Sequence, residues 1–382
     1  MKKDKKTIAF FIPSLEGGGA EKNIINFFKN LNESEYNVSL ILAEKQGDFL
    51  KFVPTWVKIF DLKTKSRAYF LIFLKLIEYF KNESPDILVS AFPHFNIICL
   101  IAKQVAKSKT KIIITEHINL SSLSKNASSV FNSFISRFVL PFFVKSFYPK
   151  SDAIICVSNG VAEDLLKIAK ENLEITVINN PIDIEEIEVL AKEPVDNKWF
   201  LEKEIPVLTM AGRLNKQKDY PTAFQALKLI NKKRKVRLVV LGKGPEEQKL
   251  KELALNLGLS DKVLFLGFQN NPYKYISKSS IFVLSSVAEG FGNVLVEAMA
   301  CGVPVISTDC PFGPNEIIEN NENGILVSVG DSVAIANTVL KILDEEVFKN
   351  KLIIEGKTRA KYFSAKTSVE KYKNIFEKLC AE

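Results

Sequence analysis

Along the chain, short runs of β-branched and aromatic residues recur, separated by longer stretches whose apolar positions return every three or four residues. In the first half the runs Thr7–Ile12, Val38–Leu42, Asp86–Ser90, Lys111–Thr115, Ala153–Val157 and Ile175–Ile178 predict strands. In the second half Val207–Ala211, Arg237–Leu241, Val263–Leu266, Ile281–Ser285 and Val305–Ser307 do the same. Most are nearly continuous in apolar character, as strands buried on both faces must be. Between them lie helical patterns such as Ala20–Leu31, with Ile24, Ile25, Phe27, Phe28 and Leu31 on one side. Regular β–α alternation predicts an α/β fold with doubly wound parallel sheets. The alternation runs twice, with a polar break at Asp183–Glu204. The expectation is therefore two Rossmann-like domains facing across a cleft: residues 1–183, a linker at 184–204, and residues 205–365. The last segment, 366–382, places Val369, Tyr372, Ile375, Phe376 and Leu379 on one helical face, which caps the second domain or crosses back to the first.

Length agrees with this division, since 382 residues exceed the roughly 250–300 that one hydrophobic core organises. Apolar residues at 47% and charged residues at 25% exclude a disordered, collagenous or multi-span membrane chain. Cys99, Cys156, Cys301, Cys310 and Cys380 are scattered and form no CxxC pair, which excludes a disulfide framework or zinc knuckle and points to a reduced cytosol. The opening MKKDKKTIAFFIP stops at Pro13 and reads as a first strand, not a signal peptide. The longest uncharged run, Ile87–Ala102, has 16 residues and contains Pro93, His94 and Asn96. A spanning helix needs about 20, so no transmembrane helix is expected. The net charge is +8, and residues 100–150 carry eight Lys/Arg against the single acid Glu116. Such an excess favours an anionic partner: acidic lipid, a phosphorylated substrate or nucleic acid.

Candidate chemistry collects just after predicted strands, where open parallel sheets bind ligands. Gly17, Gly18 and Gly19 precede Ala20-Glu21 at the first strand–helix turn. They suit either a phosphate at a helix N-terminus or simply a tight turn, and Lys22 stands where a GxGxxG fingerprint needs its last glycine. His117 follows Thr115-Glu116 at a strand end and is the stronger ligand-site candidate of two histidines. His94, among aromatic neighbours, fits a structural role better. Arg213 and Lys218 follow the first strand of the second half and suit a diphosphate, one as a planar fork and the other as a mobile point charge. The segment Glu289-Gly290-Phe291-Gly292-Asn293 leads into a helix carrying Glu297 among apolar residues. An ionised acid buried there needs donors, which ligand hydroxyls supply. The turn between the two acids offers backbone N–H groups to phosphate. No strict DxD, HExxH, GxSxG or GxxxxGK[ST] occurs, and Asp183-Ile184-Glu185 is a weak substitute for the first.

In this order and spacing the residues resemble a family-4 (group 1) retaining glycosyltransferase of the two-Rossmann, GT-B type, over nearly the whole chain. The Gly17–Glu21 turn, Glu116-His117, Val157-Ser158-Asn159-Gly160, Asn179-Asn180-Pro181-Ile182-Asp183, Gly212-Arg213-Leu214 with Lys218, Gly242-Lys243-Gly244-Pro245 and the Glu289-x7-Glu297 pair carry the likeness. The resemblance implies an acceptor in the N-terminal domain and a nucleotide-sugar donor in the C-terminal one. Arg213 and Lys218 would bind the diphosphate, Glu297 the ribose hydroxyls and Glu289 the sugar, with Gly290–Asn293 amides near phosphate. Phe268-Gln269 would meet the base, and His117, with Gly18 and Gly19, would approach from the other domain. Phe312-Gly313-Pro314 departs from the paired glycines that family members often carry there.

The resemblance further implies a metal-independent, same-face transfer without a cofactor, with a hexose or N-acetylhexosamine leaving a nucleotide, by family frequency UDP. The segments at Gly267–Tyr275 and Glu289–Ala300 look closest to bacterial enzymes of O-antigen, capsule or glycan assembly, which implies a polyprenyl-diphosphate-linked saccharide acceptor. Phe131, Phe134, Phe138, Phe142, Phe143 and Phe147, interspersed with Arg137, Lys145 and Lys150, suit either a membrane-interface surface or a core helix. Peripheral attachment at the inner face of the plasma membrane is the accompanying expectation. The rivals are a sugar-nucleotide 2-epimerase of similar shape and a non-catalytic nucleotide or nucleic-acid binder. The second lacks a recognised motif and leaves both glutamates unused.

Overall fold

The computed structural model describes residues 5–16, 18–121, 139–169, 173–202 and 204–381. The chain divides into two units, Met1–Pro181 with Ala365–Glu382, and Ile182–Ser364. Each is built on one parallel sheet. The first sheet comprises β1 (Lys6–Ile12), β2 (Tyr36–Leu42), β3 (Lys58–Asp61), β4 (Ile87–Ala91), β5 (Lys111–Glu116), β6 (Ala153–Cys156) and β7 (Ile175–Val177), in the order β3-β2-β1-β4-β5-β6-β7. The second comprises β8 (Val207–Ala211), β9 (Arg237–Leu241), β10 (Val263–Gly267), β11 (Ile281–Leu284), β12 (Val305–Thr308) and β13 (Ile325–Val327), in the order β10-β9-β8-β11-β12-β13. Every pairing is parallel, with in-register partners such as Ile8↔Val38 and Leu208↔Leu238.

The apolar runs became strands because helices cover both faces, so every residue of β4 and β12 is buried. Two strands lie outside the predicted set, β3 and β13. Both sit at a sheet edge and are four and three residues long.

In the first unit, Phe10, Phe27 and Phe28 on β1 and the helix Gly19–Asn30 form an aromatic nucleus, with ring centroids 5.0–5.1 Å from Phe10. The C-terminal helix, Ala365–Ala381, packs into this nucleus: Tyr372 lies 5.1 Å and Phe376 6.3 Å from Phe27, in edge-on geometries. Of the two destinations its periodicity allows, the chain takes the first unit. The polar stretch expected as a linker is instead folded as part of the second unit. Asp183 caps the helix Ile184–Leu190 by accepting from the Glu186 N–H at 3.0 Å, and Ile184 and Ile187 are buried. Asn271 then donates to the Leu190 carbonyl at 2.9 Å. The weak DxD substitute thus has a capping role, invisible to composition because polar residues begin helices as readily as they make linkers.

Phe376 is 1% exposed, so Phe376→Ala is expected to destabilise the first unit by about 3–5 kcal/mol. The two tryptophans, Trp56 and Trp199, fall one in each unit, so denaturant unfolding read from Trp56 fluorescence in a Trp199→Phe background isolates the effect.

Candidate active site

In the second sheet β8 and β11 are neighbours although β9 and β10 intervene in sequence. Chain order reverses at that point, which opens a crevice beyond the strands' carboxyl ends. The loops leaving β8 and β11 are tied together there. Val287 N–H donates to the Gln217 carbonyl at 2.9 Å, and the Gln217 amide returns to the Ala288 carbonyl at 2.7 Å. The Ser285 hydroxyl reaches the carbonyls of Lys218 and Asp219 at 2.9 and 2.8 Å. These ties bring Lys218 Nζ to 2.5 Å from Glu289 Oε1, an oxygen that also accepts from Ser286 Oγ at 2.6 Å. The two side chains are only 17% and 9% exposed, so removing either partner strands a charge with little water, at a cost of roughly 3–5 kcal/mol.

Arg213 sits on the same loop but is exposed and makes no ion pair among the described residues. Its loop is seated by a neighbouring one. A Cβ on Gly242 would lie 2.0 Å from the Gly212 carbonyl oxygen, and one on Gly244 would lie 2.3 Å from that of Leu214. Only glycine allows that approach, which explains the Gly242-Lys243-Gly244 motif.

Gly292, at φ +99°, turns the chain into the helix Asn293–Ala300, and Phe291 anchors the turn against Phe363 at 5.3 Å. Glu289 lies in the loop and Glu297 inside the helix, buried, accepting from the Tyr273 hydroxyl at 3.3 Å. Burial, reinforced by the Glu297 charge, raises the Tyr273 phenol well above its ordinary value, so it stays a donor. Phe268 and Gln269 are half-buried after β10, with the Gln269 amide donating to the Leu266 carbonyl at 2.6 Å. At the departure from the family pattern, Phe312 takes φ +70°, and Gly313 lies so close to the Phe291 carbonyl that a Cβ would stand 2.3 Å from its oxygen.

In the first unit the order reverses between β1 and β4. Gly18 caps the helix Gly19–Asn30, and the Glu21 carboxylate folds back to within 2.3 Å of where a Gly18 Cβ would stand. This acid occupies the helix N-terminus in the manner of a capping box. Gly17 lies outside the described residues. At the end of β5, Glu116 is fully buried; its Oε1 accepts from the Tyr148 hydroxyl and from the Asn96 amide at 2.8 Å. Burial pushes its carboxyl up to about 8, with the Asp164 charge adding to the rise, so at neutral pH it is mostly the uncharged acid. His117 accompanies Thr115 at 3.1 Å, and burial lowers its imidazole to about 4. His94 lies 5.8 Å from the Tyr69 ring in a tilted contact and is likewise held below its ordinary value by burial.

Ser286, Tyr273, Asn96 and Tyr148, which hold the acids, were not predicted. Each partners an acid 3 to 32 residues away through folding alone, which no local spacing announces.

Lys103 and Lys111 both approach Asp152, at 2.8 and 3.7 Å. Lys107, Lys109 and Lys111 line a cavity of about 600 Å³ at the amino ends of the strands, with Lys6 and Lys81. The helices Tyr69–Asn82 and Pro93–Ala106 end there, and lysines suit their carboxyl termini. Lys125, Arg137, Phe131, Phe134 and Phe138 lie outside the described residues. In the helix Leu140–Phe147, Leu140 and Val144 are buried, Phe142 is exposed, and Phe143 stacks on Phe147.

Among the described residues no three His, Cys, Asp or Glu side chains converge on a metal position, and no helix is long and apolar enough to cross a membrane. The five cysteines are free thiols.

Residues 17–186 match the model of Glycosyltransferase Family 4, and residues 191–359 that of Glycosyl transferases group 1. The chain is 32% identical, over 93% of its length and 95% of the relative's, to the N-acetylgalactosamine-N,N'-diacetylbacillosaminyl-diphospho-undecaprenol 4-alpha-N-acetylgalactosaminyltransferase of Campylobacter jejuni. It is 30% identical to the N-acetyl-alpha-D-glucosaminyl L-malate synthase of Bacillus anthracis, over 79% of this chain and 77% of that one. In fold it matches HepE of Anabaena in complex with UDP and glucose, with TM-score 0.80 and 21% identity over 97% of this chain and 99% of that one.

The opposed shifts of Glu116 and His117 fix a pH dependence of stability. Glu116 is raised from 4.5 to about 8, and His117 is lowered from 6.5 to about 4. Between pH 4.5 and 6.5 the folded state keeps a proton on Glu116 and lacks one on His117, so these two slopes cancel, and the lowered His94 leaves stability rising with pH there. From 6.5 to 8 only Glu116 acts, and stability falls as pH rises, by at most about 1.4 kcal/mol per pH unit. Cysteine and tyrosine shifts fall at higher pH. Glu116→Gln, uncharged throughout, is expected to flatten that segment in denaturant titrations.

Proposed function

Since the chain belongs to the group 1, family 4 glycosyltransferases, we propose that its second unit binds a nucleoside-diphosphate sugar and that the sugar passes, with retention, to a polyprenyl-diphosphate-linked saccharide. The carrying observation is the convergence of Arg213 and the Lys218–Glu289 pair at the carboxyl ends of β8 and β11. The relative's diphospho-undecaprenol acceptor supports the acceptor class, and the UDP held by HepE supports uridine diphosphate as carrier. Bacterial surface-glycan assembly, of O-antigen or capsule kind, is the corresponding setting; relatives from Rhizobium meliloti and Staphylococcus aureus carry lipopolysaccharide-core and capsular names.

In this reading the bond from the anomeric carbon to the diphosphate breaks, and negative charge develops on the leaving oxygen. Arg213, Lys218 and the N–H groups that follow Gly292 take up that charge, in place of a metal. Glu289 accepts from hydroxyls of the sugar, and Glu297, shared with Tyr273, from the ribose. Phe268 and Gln269 flank the base. His117, Gly18 and Gly19 are the first unit's own candidates for substrate contact. The departing diphosphate accepts the proton of the attacking hydroxyl, which forms its new bond on the same face.

Peripheral attachment to an anionic membrane belongs to the same reading, because a lipid-linked acceptor lies at such a surface. The helix Tyr69–Asn82 supports it: Phe70 is 70% and Leu71 52% exposed, beside exposed Tyr69 and Leu74, and exposed Lys63, Lys65 and Arg67 precede it. Apolar insertion flanked by cations is the pattern an anionic bilayer retains.

Arg213→Ala is expected to weaken donor binding by about 1.5–3 kcal/mol without lowering the melting temperature, because its side chain is exposed. Calorimetric titration with UDP-sugars and a thermal melt check both, and unaltered donor affinity would overturn the site. The transferred sugar should keep its anomeric configuration by NMR, and turnover should persist in excess chelator.

Phe70→Ser with Leu71→Ser should abolish sedimentation with phosphatidylglycerol vesicles at low salt while leaving transfer to a water-soluble acceptor intact; sedimentation equal to the unaltered protein would refute the attachment.

A further inference from the structure

The hydroxyl of Thr115 has one proton and two neighbours. It lies 2.9 Å from the Ser90 carbonyl oxygen on the adjoining strand and 3.1 Å from His117 Nε2. A carbonyl oxygen only accepts, so the Thr115 proton is committed to Ser90. The hydroxyl then meets the imidazole with lone pairs alone, and Nε2 must carry the ring's proton.

We propose that Thr115 is a positioning residue for His117: it fixes the neutral Nε2–H tautomer and makes Nδ1 a standing hydrogen-bond acceptor at the carboxyl end of β5. Strand alternation sends Thr115 and His117 to one face and Glu116 to the other. Tyr148 and Asn96 clamp Glu116 from that far side, which keeps the backbone between the two partners from twisting. The ring lines a cavity of about 30 Å³ with Asn180, whose side chain also hydrogen-bonds it, and Nδ1 itself meets no partner among the described residues. A neutral imidazole with a lone pair on Nδ1 discriminates by hydrogen-bond polarity. It accepts from an amide or a sugar hydroxyl and offers no charge to a phosphate. The effect on turnover rests on the transferase reading; the tautomer does not.

The chain contains only two histidines, which makes imidazole ¹⁵N NMR on the full-length protein readable, with His94→Gln assigning the second signal. At neutral pH without substrate, His117 should give the separated nitrogen shifts of a single Nε2–H tautomer. Thr115→Val, of the same shape without the hydroxyl, should collapse them toward a tautomer mixture, and Thr115→Ser should restore them. In the transfer assay Thr115→Val should lower kcat/KM by about tenfold or more, and Thr115→Ser should recover it. An Nδ1–H signal in the unaltered protein, or a Thr115→Val spectrum unchanged from it, overturns the assignment even if that variant folds poorly, since the first reading needs no substitution. A correct tautomer in a protein inactive on every lipid-linked acceptor would count against the transferase reading alone.

Discussion

Lys218 and Glu289 meet where water is scarce, and much of the second unit's local architecture holds them there. A surface pair of this kind contributes little and is optional. A shielded pair is different, because each charge is tolerated only while the other stays. That constraint explains the density of ties around it: the Gln217 bonds in both directions, the Ser285 hydroxyl under the Lys218 carbonyl, and Thr308 donating to Ser286. A cation and an acid prepared in this way can exchange partners with a ligand of alternating charge and hydroxyl character without a large rearrangement of the loops.

The first unit treats its acid in the opposite manner. Glu116 is kept uncharged by burial, with neutral donors from Tyr148 and Asn96. His117 is kept uncharged as well, by the same loss of water. One unit therefore concentrates charge at its strand ends and the other removes it. Both arrangements arise from side chains at the carboxyl ends of parallel strands, where alternate residues face different layers.

Much of the fold was legible because parallel strands covered on both faces leave uninterrupted apolar runs, which Ile112–Ile114 and Val305–Ile306 display in plain form. The edge strands β3 and β13 were not; β3, Lys58–Asp61, holds only two apolar residues between charged ones. The strand-end residues Arg213, Lys218, Glu289 and His117, and Glu297 inside its helix, stood out by type and position. Their supports did not: Ser286, Tyr273, Tyr148 and Asn96 are ordinary residues until folding sets them beside an acid. The stretch at 184–204 misled for a related reason, since Asp183 and Glu185–Glu186 look like a solvated connector and serve as a helix start.

The return of the helix Ala365–Ala381 to the first unit has a consequence for biosynthesis. The aromatic nucleus around Phe27 lacks Tyr372 and Phe376 until the ribosome has also made the second unit, which lies between them in sequence. The second unit is contiguous, Ile182–Ser364, and emerges complete before that. The usual vectorial order is thereby inverted: the domain translated first is the last to close, and it waits with an open hydrophobic seam while its successor matures.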